Sequence, residues 1–272
     1  MSANANRSER WSPMRRMASR LLPPIVALVV GLAVWDLAIR WFGIPKVLLP
    51  TPGQVLAAAG KHGSELGRAT MITAAAALCG FALSVGMGTL IAVLFSQSRW
   101  LRSGLFPFAI FLQTVPIVAI APLIVIWMGE GFPAVVTIAF IIGLFPMITN
   151  GTAGMLSSDV ARHELFRLNR ATRWQTISKL QLPGAMPDLV TGARISSGLC
   201  VLGAIVGEYF AGAGADQAGL GYLIFAAKDQ FVLDKLFAAV FACTLLGVMI
   251  FVVTGWFGDR VLLHWQERER AW

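Results

Sequence analysis

Long stretches without a single charged residue constrain this chain more than any other feature of its sequence. Residues 69–98 and residues 103–128 contain no Asp, Glu, Lys or Arg. Apolar runs of roughly 18 residues or more are long enough to cross the hydrocarbon core of a bilayer as helices. We therefore predict an all-α membrane protein with about six transmembrane helices. Besides these two runs, the predicted spans are residues 21–42, 132–152, 190–211 and 236–258.

The charged residues indicate on which side of the membrane each loop lies. The chain is only 13% charged but has a net charge of +8, and in a soluble protein such a balance would suggest nucleic-acid binding. Fifteen of the 22 Lys and Arg residues fall in the tails at 1–20 and 259–272 and in the loops at 99–102 and 157–189. Because cytoplasmic segments of membrane proteins are enriched in Lys and Arg, we predict that both termini and these loops are cytoplasmic. The charge therefore needs no nucleic-acid partner, and residues 21–258 form the expected transmembrane domain.

Prolines, a charged pair and a polar segment in or beside the spans predict further details of the helices. Pro23 and Pro24 suit the start of the first helix better than its middle. Asp36 and Arg40 are spaced to pair on one helix face. A short polar helix is predicted at residues 54–68. The span at residues 103–128 is expected to be one helix in spite of its three prolines, since neighbouring groups can satisfy the carbonyls that prolines leave free.

The sequence lacks the patterns that carry enzymatic chemistry. The three cysteines lie in separate apolar runs, and the three histidines form no His-Glu-x-x-His motif. The chain has no Gly-x4-Gly-Lys-Ser/Thr loop for binding nucleotide phosphates. We therefore expect no catalytic residue, metal site or cofactor in this chain. A secondary transporter or channel is an alternative class, but it would predict an inverted repeat and charged residues within the spans.

The cytoplasmic loop at residues 157–189 is too long and too patterned for a simple connection. Its apolar residues, which include Leu165, Leu168, Trp174 and Ile177, are spaced as in short amphipathic helices. Trp next to Arg is typical of protein interfaces, but basic helices with Trp also lie on lipid headgroups. These residues alone leave docking of a partner protein and binding to the membrane surface as equal alternatives.

At this loop the sequence resembles a known family. Glu164-Leu165-Phe166, Arg170 and Leu180-Gln181-Leu182-Pro183 have the spacing of the EAA loop of ATP-binding-cassette importer permeases, which reads Glu-Ala-Ala, three residues, Gly, nine residues, Ile-x-Leu-Pro. Further segments resemble the nitrate, sulfonate and taurine branch of these permeases. They are Gln113–Pro116, Ala121–Leu123, Trp127–Gly129, Phe145–Asn150 and Gly219–Tyr222.

The resemblance implies a type I importer transmembrane fold in a multi-pass protein of the inner (plasma) membrane. It implies a homodimer with two ATPase subunits that bind ATP and Mg²⁺, and a periplasmic or lipid-anchored substrate-binding protein. The expected cargo is a small anion such as a sulfonate, taurine or nitrate. Similar permeases import a pyrimidine precursor of thiamine or riboflavin, which is the alternative.

The resemblance also implies roles for residues of the loop. Contact with the ATPase is expected at Arg170, Ala171, Arg173, Trp174 and Gln175, and Leu180, Leu182 and Pro183 complete the motif. Glu164 is expected to hold the two helices of the loop together or to bind an arginine of the ATPase.

The position of the motif's glycine is occupied by Arg170, which is ill suited to a left-handed turn. The preceding residue, Asn169, tolerates that conformation better. We therefore predict that the turn has moved to Asn169, with a first helix that continues through Arg170 as the alternative.

Polar residues within the spans are candidates for the translocation path. Gln113 and Thr114 lie beside Pro116 in the middle of the third span, where polar side chains face a cavity or bond to a neighbouring helix. Glu208 and Tyr209 lie near the end of the fifth span. Glu208 is expected either to line the path or to pair with a base near the surface such as Lys228, the pairing being favoured.

Overall fold

The computed structural model describes residues 13–45, 48–157, 160–211 and 218–270, and all regular structure in these ranges is helical. The helices are α1 (Pro13–Phe42), α2 (Pro52–Lys61), α3 (Gly63–Gln97), α4 (Arg99–Thr114), α5 (Ile117–Met128), α6 (Phe132–Leu156), α7 (Val160–Leu168), α8 (Arg173–Thr176), α9 (Leu182–Gly184), α10 (Met186–Ala211), α11 (Leu220–Asp229) and α12 (Leu233–Arg270). A π-helical turn, Ile177–Gln181, joins α8 to α9.

Four of these helices are long and apolar enough to cross a membrane: α3, α6, α10 and the part of α12 up to Leu263. They contain the predicted second, fourth, fifth and sixth spans. The tight turn between α5 and α6 is made by Gly129 and Gly131, with φ of 83° and 124°, which side chains rarely adopt. Because every regular element in the described residues is a helix, the all-α prediction is confirmed for them.

Helices α3, α6 and α10 form the centre of the fold, with α6 packed between the other two. Small residues allow this close approach. A Cβ added to Gly80 of α3 would lie 2.6 Å from the Cβ of Ala139 in α6. A Cβ added to Gly203 of α10 would lie 2.7 Å from the Cα of the same alanine. Ser84 of α3 and Ser196 of α10 donate hydrogen bonds to backbone carbonyls of α6 at 2.8 and 2.7 Å. Such contacts hold membrane helices together where lipid removes the hydrophobic drive for association.

The third predicted span is two helices, and its prediction as one was wrong. Helix α4 ends at Thr114 and α5 begins at Ile117, with Val115 in an extended conformation (φ −74°, ψ 126°). Pro116 causes this break, because its ring disfavours helical geometry in the residue before it. Pro107 and Pro122, by contrast, lie within α4 and α5.

Two other boundaries differ from the prediction. Pro23 and Pro24 lie inside α1, which begins at Pro13, so they do not start the helix. A proline inside a helix removes one backbone hydrogen bond and crowds the carbonyl four residues earlier, but membrane helices tolerate prolines where other groups satisfy the freed carbonyls. The polar helix predicted at residues 54–68 ends at Lys61, and Arg68 belongs to α3.

Ion pairs connect residues within and between the helices. The predicted pair on α1 is confirmed, since Arg40 Nε lies 2.8 Å from Asp36 Oδ2. Arg194 of α10 donates a hydrogen bond to the carbonyl of Gly255 and one of 3.0 Å to Asp259 of α12. Asp259 is part of the same helix as the sixth span, so no structural break separates that span from the predicted C-terminal tail.

Candidate functional site

The loop between α6 and α10 begins with α7 and turns at Arg170. Arg170 has a φ of 53°, whereas Asn169 is not among the described residues with positive φ. The N–H of Arg170 donates to the carbonyl of Arg167, and the N–H of Ala171 donates to that of Phe166. These two bonds define a Schellman motif, the common way to end a helix at a left-handed residue.

Both alternatives for the turn were therefore wrong: Arg170 takes the conformation of the motif's glycine, and the helix does not continue through it. Asn169 instead donates a side-chain hydrogen bond of 2.9 Å to the carbonyl of Leu165, which lies in the last turn of α7. The two Schellman bonds satisfy helix carbonyls and offset the cost of about 1–2 kcal/mol that a Cβ adds to the left-handed conformation.

The second half of the loop is a helical extension of α10. Thr172 caps α8 through a capping box, in which Gln175 N–H donates to Thr172 Oγ1 and Thr172 N–H donates to Gln175 Oε1 at 2.8 Å. From Arg173 the backbone stays helical through the π turn, α9 and Ala185 into α10. We call this continuous segment, Thr172–Ala211, the rod.

The two ends of the loop differ in exposure. At its tip, Leu168 and Trp174 are 81% and 73% exposed, and Leu165 is exposed as well. At its base, Leu180, Gln181 and Ala185 are buried, and Ala185 packs with Met155 of α6 and Leu189 of α10. The base is thus built into the protein, while the tip presents apolar side chains and three exposed arginines, Arg167, Arg170 and Arg173.

The remaining residues of the loop motif lie partly at the exposed tip and partly at the buried base. Glu164 is exposed on α7 and has no ion pair or hydrogen bond to α8 in the described chain. Gln175 is engaged in the capping box. Leu182 and Pro183 are half-buried where α9 follows the π turn, and Leu182 packs against the core of α6 and α10.

A pair of amides ties the loop's base to the end of α3. Gln97 Nε2 donates a hydrogen bond of 2.7 Å to Oε1 of Gln181, 84 positions away in the chain. Gln181 lies in the π turn and is buried, whereas Gln97, the last residue of α3, is exposed. The sequence motif contains position 181 only as its unspecified residue, so sequence reasoning missed both members of this pair.

Glu208 lies in a buried cluster where α3, α10 and α11 meet. Its Oε2 accepts hydrogen bonds from Thr73 Oγ1 at 2.8 Å and from the N–H of Gly221 at 2.9 Å. Thr73 Oγ1 in turn accepts from the N–H of Leu220 at 2.9 Å. The carboxylate therefore satisfies the first turn of α11, whose N–H groups lack partners within the helix.

The favoured pairing of Glu208 with Lys228 was wrong. Glu208 is only 4% exposed, and Lys228 lies outside the buried cluster, where its Nζ donates to the hydroxyl of Tyr209 at 3.4 Å. The sequence carried a signal for the true arrangement in Gly219 and Gly221. A Cβ at either position would collide, with the Glu208 carboxylate at Gly219 and with the carbonyl of Ile205 at Gly221.

The other path candidates lie at the break between α4 and α5. Gln113 and Thr114 form the last turn of α4, and Pro116 immediately precedes α5. Thr114 is exposed, and its Oγ1 donates to the carbonyl of Phe111 in its own helix and not to a neighbouring helix among the described residues. In the described part of the chain, no group of three His, Cys, Asp or Glu residues could hold a metal ion.

Apolar helices around a small-residue core, with a structured loop that presents an apolar and basic tip, are typical of the membrane subunit of a transporter. The chain belongs to the family of binding-protein-dependent transport system inner membrane components, whose model matches residues 84–262. It is an ATP-binding-cassette importer permease of the branch that includes sulfonate, nitrate and taurine permeases, and thus a multi-pass protein of the inner membrane.

Similar proteins align with nearly the whole length of this chain. The riboflavin transport system permease protein RibX of Chloroflexus aurantiacus is 31% identical over 94% of this chain and 96% of its own length. The formylaminopyrimidine transport permease protein ThiX of Halalkalibacterium halodurans is 30% identical over 94% of this chain and all of its own. The taurine transport system permease protein TauC of Escherichia coli is 27% identical over 89% and 87%.

The fold is also found in a solved transporter. An inward-facing structure of the MetNI methionine ABC transporter aligns with 74% of this chain and 95% of its own chain, with a TM-score of 0.60 and 18% identity. This similarity confirms the type I importer fold.

Proposed function

We propose that this permease imports a small solute delivered by a substrate-binding protein, and that an ATPase subunit docked on the tip of the loop drives the transport. This proposal rests on the difference between the exposed tip of the loop and its buried, helical base. The tip exposes Leu168 and Trp174, while the base continues into α10 as a helix. An apolar, basic surface at the end of a rod can transmit force from a docked protein to a membrane helix.

The proposed arrangement follows the family. Two copies of the chain form the pathway, two ATPase subunits bind ATP and Mg²⁺, and both termini of this chain lie in the cytoplasm with the loop. This chain then needs no cofactor of its own. Basic residues at the loop's tip fit this side of the membrane, where Lys and Arg are enriched.

Cysteine cross-linking tests the docking surface. We expect that cysteine at position 174 or 170 forms cross-links to the ATPase subunit in membranes. Trp100→Cys is the matched control, because Trp100 is an equally exposed tryptophan in the first turn of α4, outside the loop. Labelling of positions 170 and 174 by lipid-phase reagents alone, without cross-links, would favour a loop that lies on the headgroups and would contradict the proposal.

For the cargo, we propose first a small organic or inorganic anion such as a sulfonate, taurine or nitrate, as in the branch to which the chain belongs. A planar heterocycle is a second candidate, because the riboflavin and formylaminopyrimidine permeases are 31% and 30% identical to this chain. Thermal shifts of the cognate binding protein separate the two. Stabilisation by taurine or an alkanesulfonate supports the first candidate, and stabilisation by riboflavin or a formylaminopyrimidine alone replaces it with the second.

A further inference from the structure

Helix α3 and the rod are joined by polar side chains at two widely separated points. At one point Gln97 donates to Gln181, and at the other Thr73 donates to Glu208. At roughly 1.5 Å per residue, the two junctions are separated by about 36 Å along α3 and about 40 Å along the rod. The two lengths are similar, and both exceed the hydrocarbon core of a bilayer, about 30 Å.

Between the two junctions the helices pack mainly through small residues against α6. Small residues let these helices approach closely, and within this interface Ser84 Oγ of α3 lies 3.8 Å from Cys200 Sγ of the rod. The Thr73–Glu208 bond is buried, where hydrogen bonds are stronger than in water, and at the other junction the buried Gln181 would lose its bond to Gln97 if the helices slid. The two junctions therefore fix the register of α3 against the rod.

The junction at Glu208 also includes a third element. The first turn of α11 donates two N–H groups to it, Leu220 to Thr73 and Gly221 to Glu208. The absence of side chains at Gly219 and Gly221 brings this turn against the carboxylate. A shift of either α3 or the rod must therefore move α11 or break these bonds.

We propose that α3 and the rod form one clamp, closed by Gln97–Gln181 at one end and by Thr73–Glu208 at the other, which carries movement of the loop's tip to α11. The clamp rests on the proposed function, since the ATPase is the source of the movement. Gln97, Gln181, Thr73 and Glu208 are then positioning residues for transport. They transmit the movement without contacting ATP.

Helix α12 is also fastened to the clamp, by Lys235 to Glu65 of α3 at 2.8 Å and by Asp259 to Arg194 of the rod at 3.0 Å. Helices α4 and α5 pack against the clamp less extensively. The chain is interrupted between α4 and α5 at Val115 and Pro116, so movement of one of these helices need not carry the other. The clamp thus divides the permease into a unit that moves as a whole and a broken helix beside which it moves.

Distance measurements between the two copies of the permease test the clamp. A spin label is attached at Gln230→Cys, an exposed position at the end of α11, after the three native cysteines are replaced. The label-to-label distance is measured in the complex with its ATPase subunit, without nucleotide and after trapping with ATP and vanadate. We expect trapping to shift this distance by several ångströms.

Gln97→Ala is the decisive variant, because Gln97 is exposed and lies at the opposite end of the clamp from the label. We expect it to reduce the shift to less than half of that in the parent chain, and Thr73→Val to do the same. Thr70→Val is the matched control, since Thr70 lies one turn away on α3 and donates only to the carbonyl of Leu66. It should leave the shift unchanged.

The outcomes separate the clamp from the proposed function. If the ATPase subunit binds and the shift is the same in Gln97→Ala, Thr73→Val and the parent chain, the clamp is wrong and the docking proposal stands. An absent shift in the parent complex also overturns the clamp. If no ATPase subunit binds the parent chain at all, the proposed function itself fails.

Discussion

Glu208 Oε2 accepts a hydrogen bond of 2.8 Å from Thr73 Oγ1, although 135 positions separate the two residues in the chain. A carboxylate in a membrane-spanning helix is costly unless other groups satisfy it. Here the N–H of Gly221 and the start of α11 supply that satisfaction, while Oε1 has no partner among the described residues. The same contacts that make Glu208 tolerable fasten three helices at one point.

Replacing Glu208 by Leu should destabilise the protein, whereas replacing it by Gln should cost much less. Gln keeps an oxygen that accepts from Thr73 and Gly221, but Leu leaves the buried N–H of Gly221 without an acceptor. One such loss costs about 1–3 kcal/mol of unfolding free energy. Thermal unfolding of the detergent-solubilised chain measures the difference, and equal midpoints for the two variants would contradict the role of Glu208 as an acceptor.

Gly221→Ala should destabilise the same cluster through crowding. The added Cβ would collide with the backbone carbonyl of Ile205, which cannot move away as a flexible side chain can. Overpacking of this kind costs about 1–3 kcal/mol. Gly67→Ala in α3 is the control, because a Cβ there meets no atom within 4 Å and Ala favours a helix. The thermal midpoint should fall for Gly221→Ala only.

The sequence predicted what depends on local pattern. Long apolar runs located the helices that became α3, α6, α10 and α12, and the i,i+4 spacing of Asp36 and Arg40 predicted their pair. It did not predict the partner of Glu208, because Thr73 and Gly221 approach it only when α3, α10 and α11 are assembled. A carboxylate near the end of a span looks the same in sequence whether it faces water or a helix terminus.

Two errors arose from a competition between a local preference and its context. Pro116 was correctly identified within the third span, but its effect on Val115 outweighed the apolar continuity that suggested one helix. At the turn of the loop, Asn169 is intrinsically the better left-handed residue. The length of α7 places the Schellman geometry on Arg170, so the hydrogen bonds of the helix end, and not residue preference, decide the position.

Arg170→Gly should stabilise the loop's turn, because Gly adopts a φ near 53° without the steric cost of a Cβ. The expected gain is up to about 1 kcal/mol after the greater freedom of Gly in the unfolded chain is subtracted. Protection of the loop from limited proteolysis measures it, and the Arg170→Asn variant should lie between the parent chain and Arg170→Gly. Faster cleavage of Arg170→Gly than of the parent chain would show that the arginine side chain, and not the backbone, holds the turn.

Trp174→Ala should weaken the binding of the ATPase subunit without destabilising the permease. Because Trp174 is 73% exposed, its removal should change the unfolding free energy of the isolated chain by less than about 0.5 kcal/mol. Buried tryptophans at the centre of an interface contribute about 2 kcal/mol or more to binding, which corresponds to a loss of affinity of roughly thirtyfold. Trp100→Ala, at the 85% exposed tryptophan of α4, should leave the affinity unchanged. Titration of the ATPase subunit against both variants in nanodiscs decides the matter, since equal affinities would mean that the tip of the loop does not carry the contact.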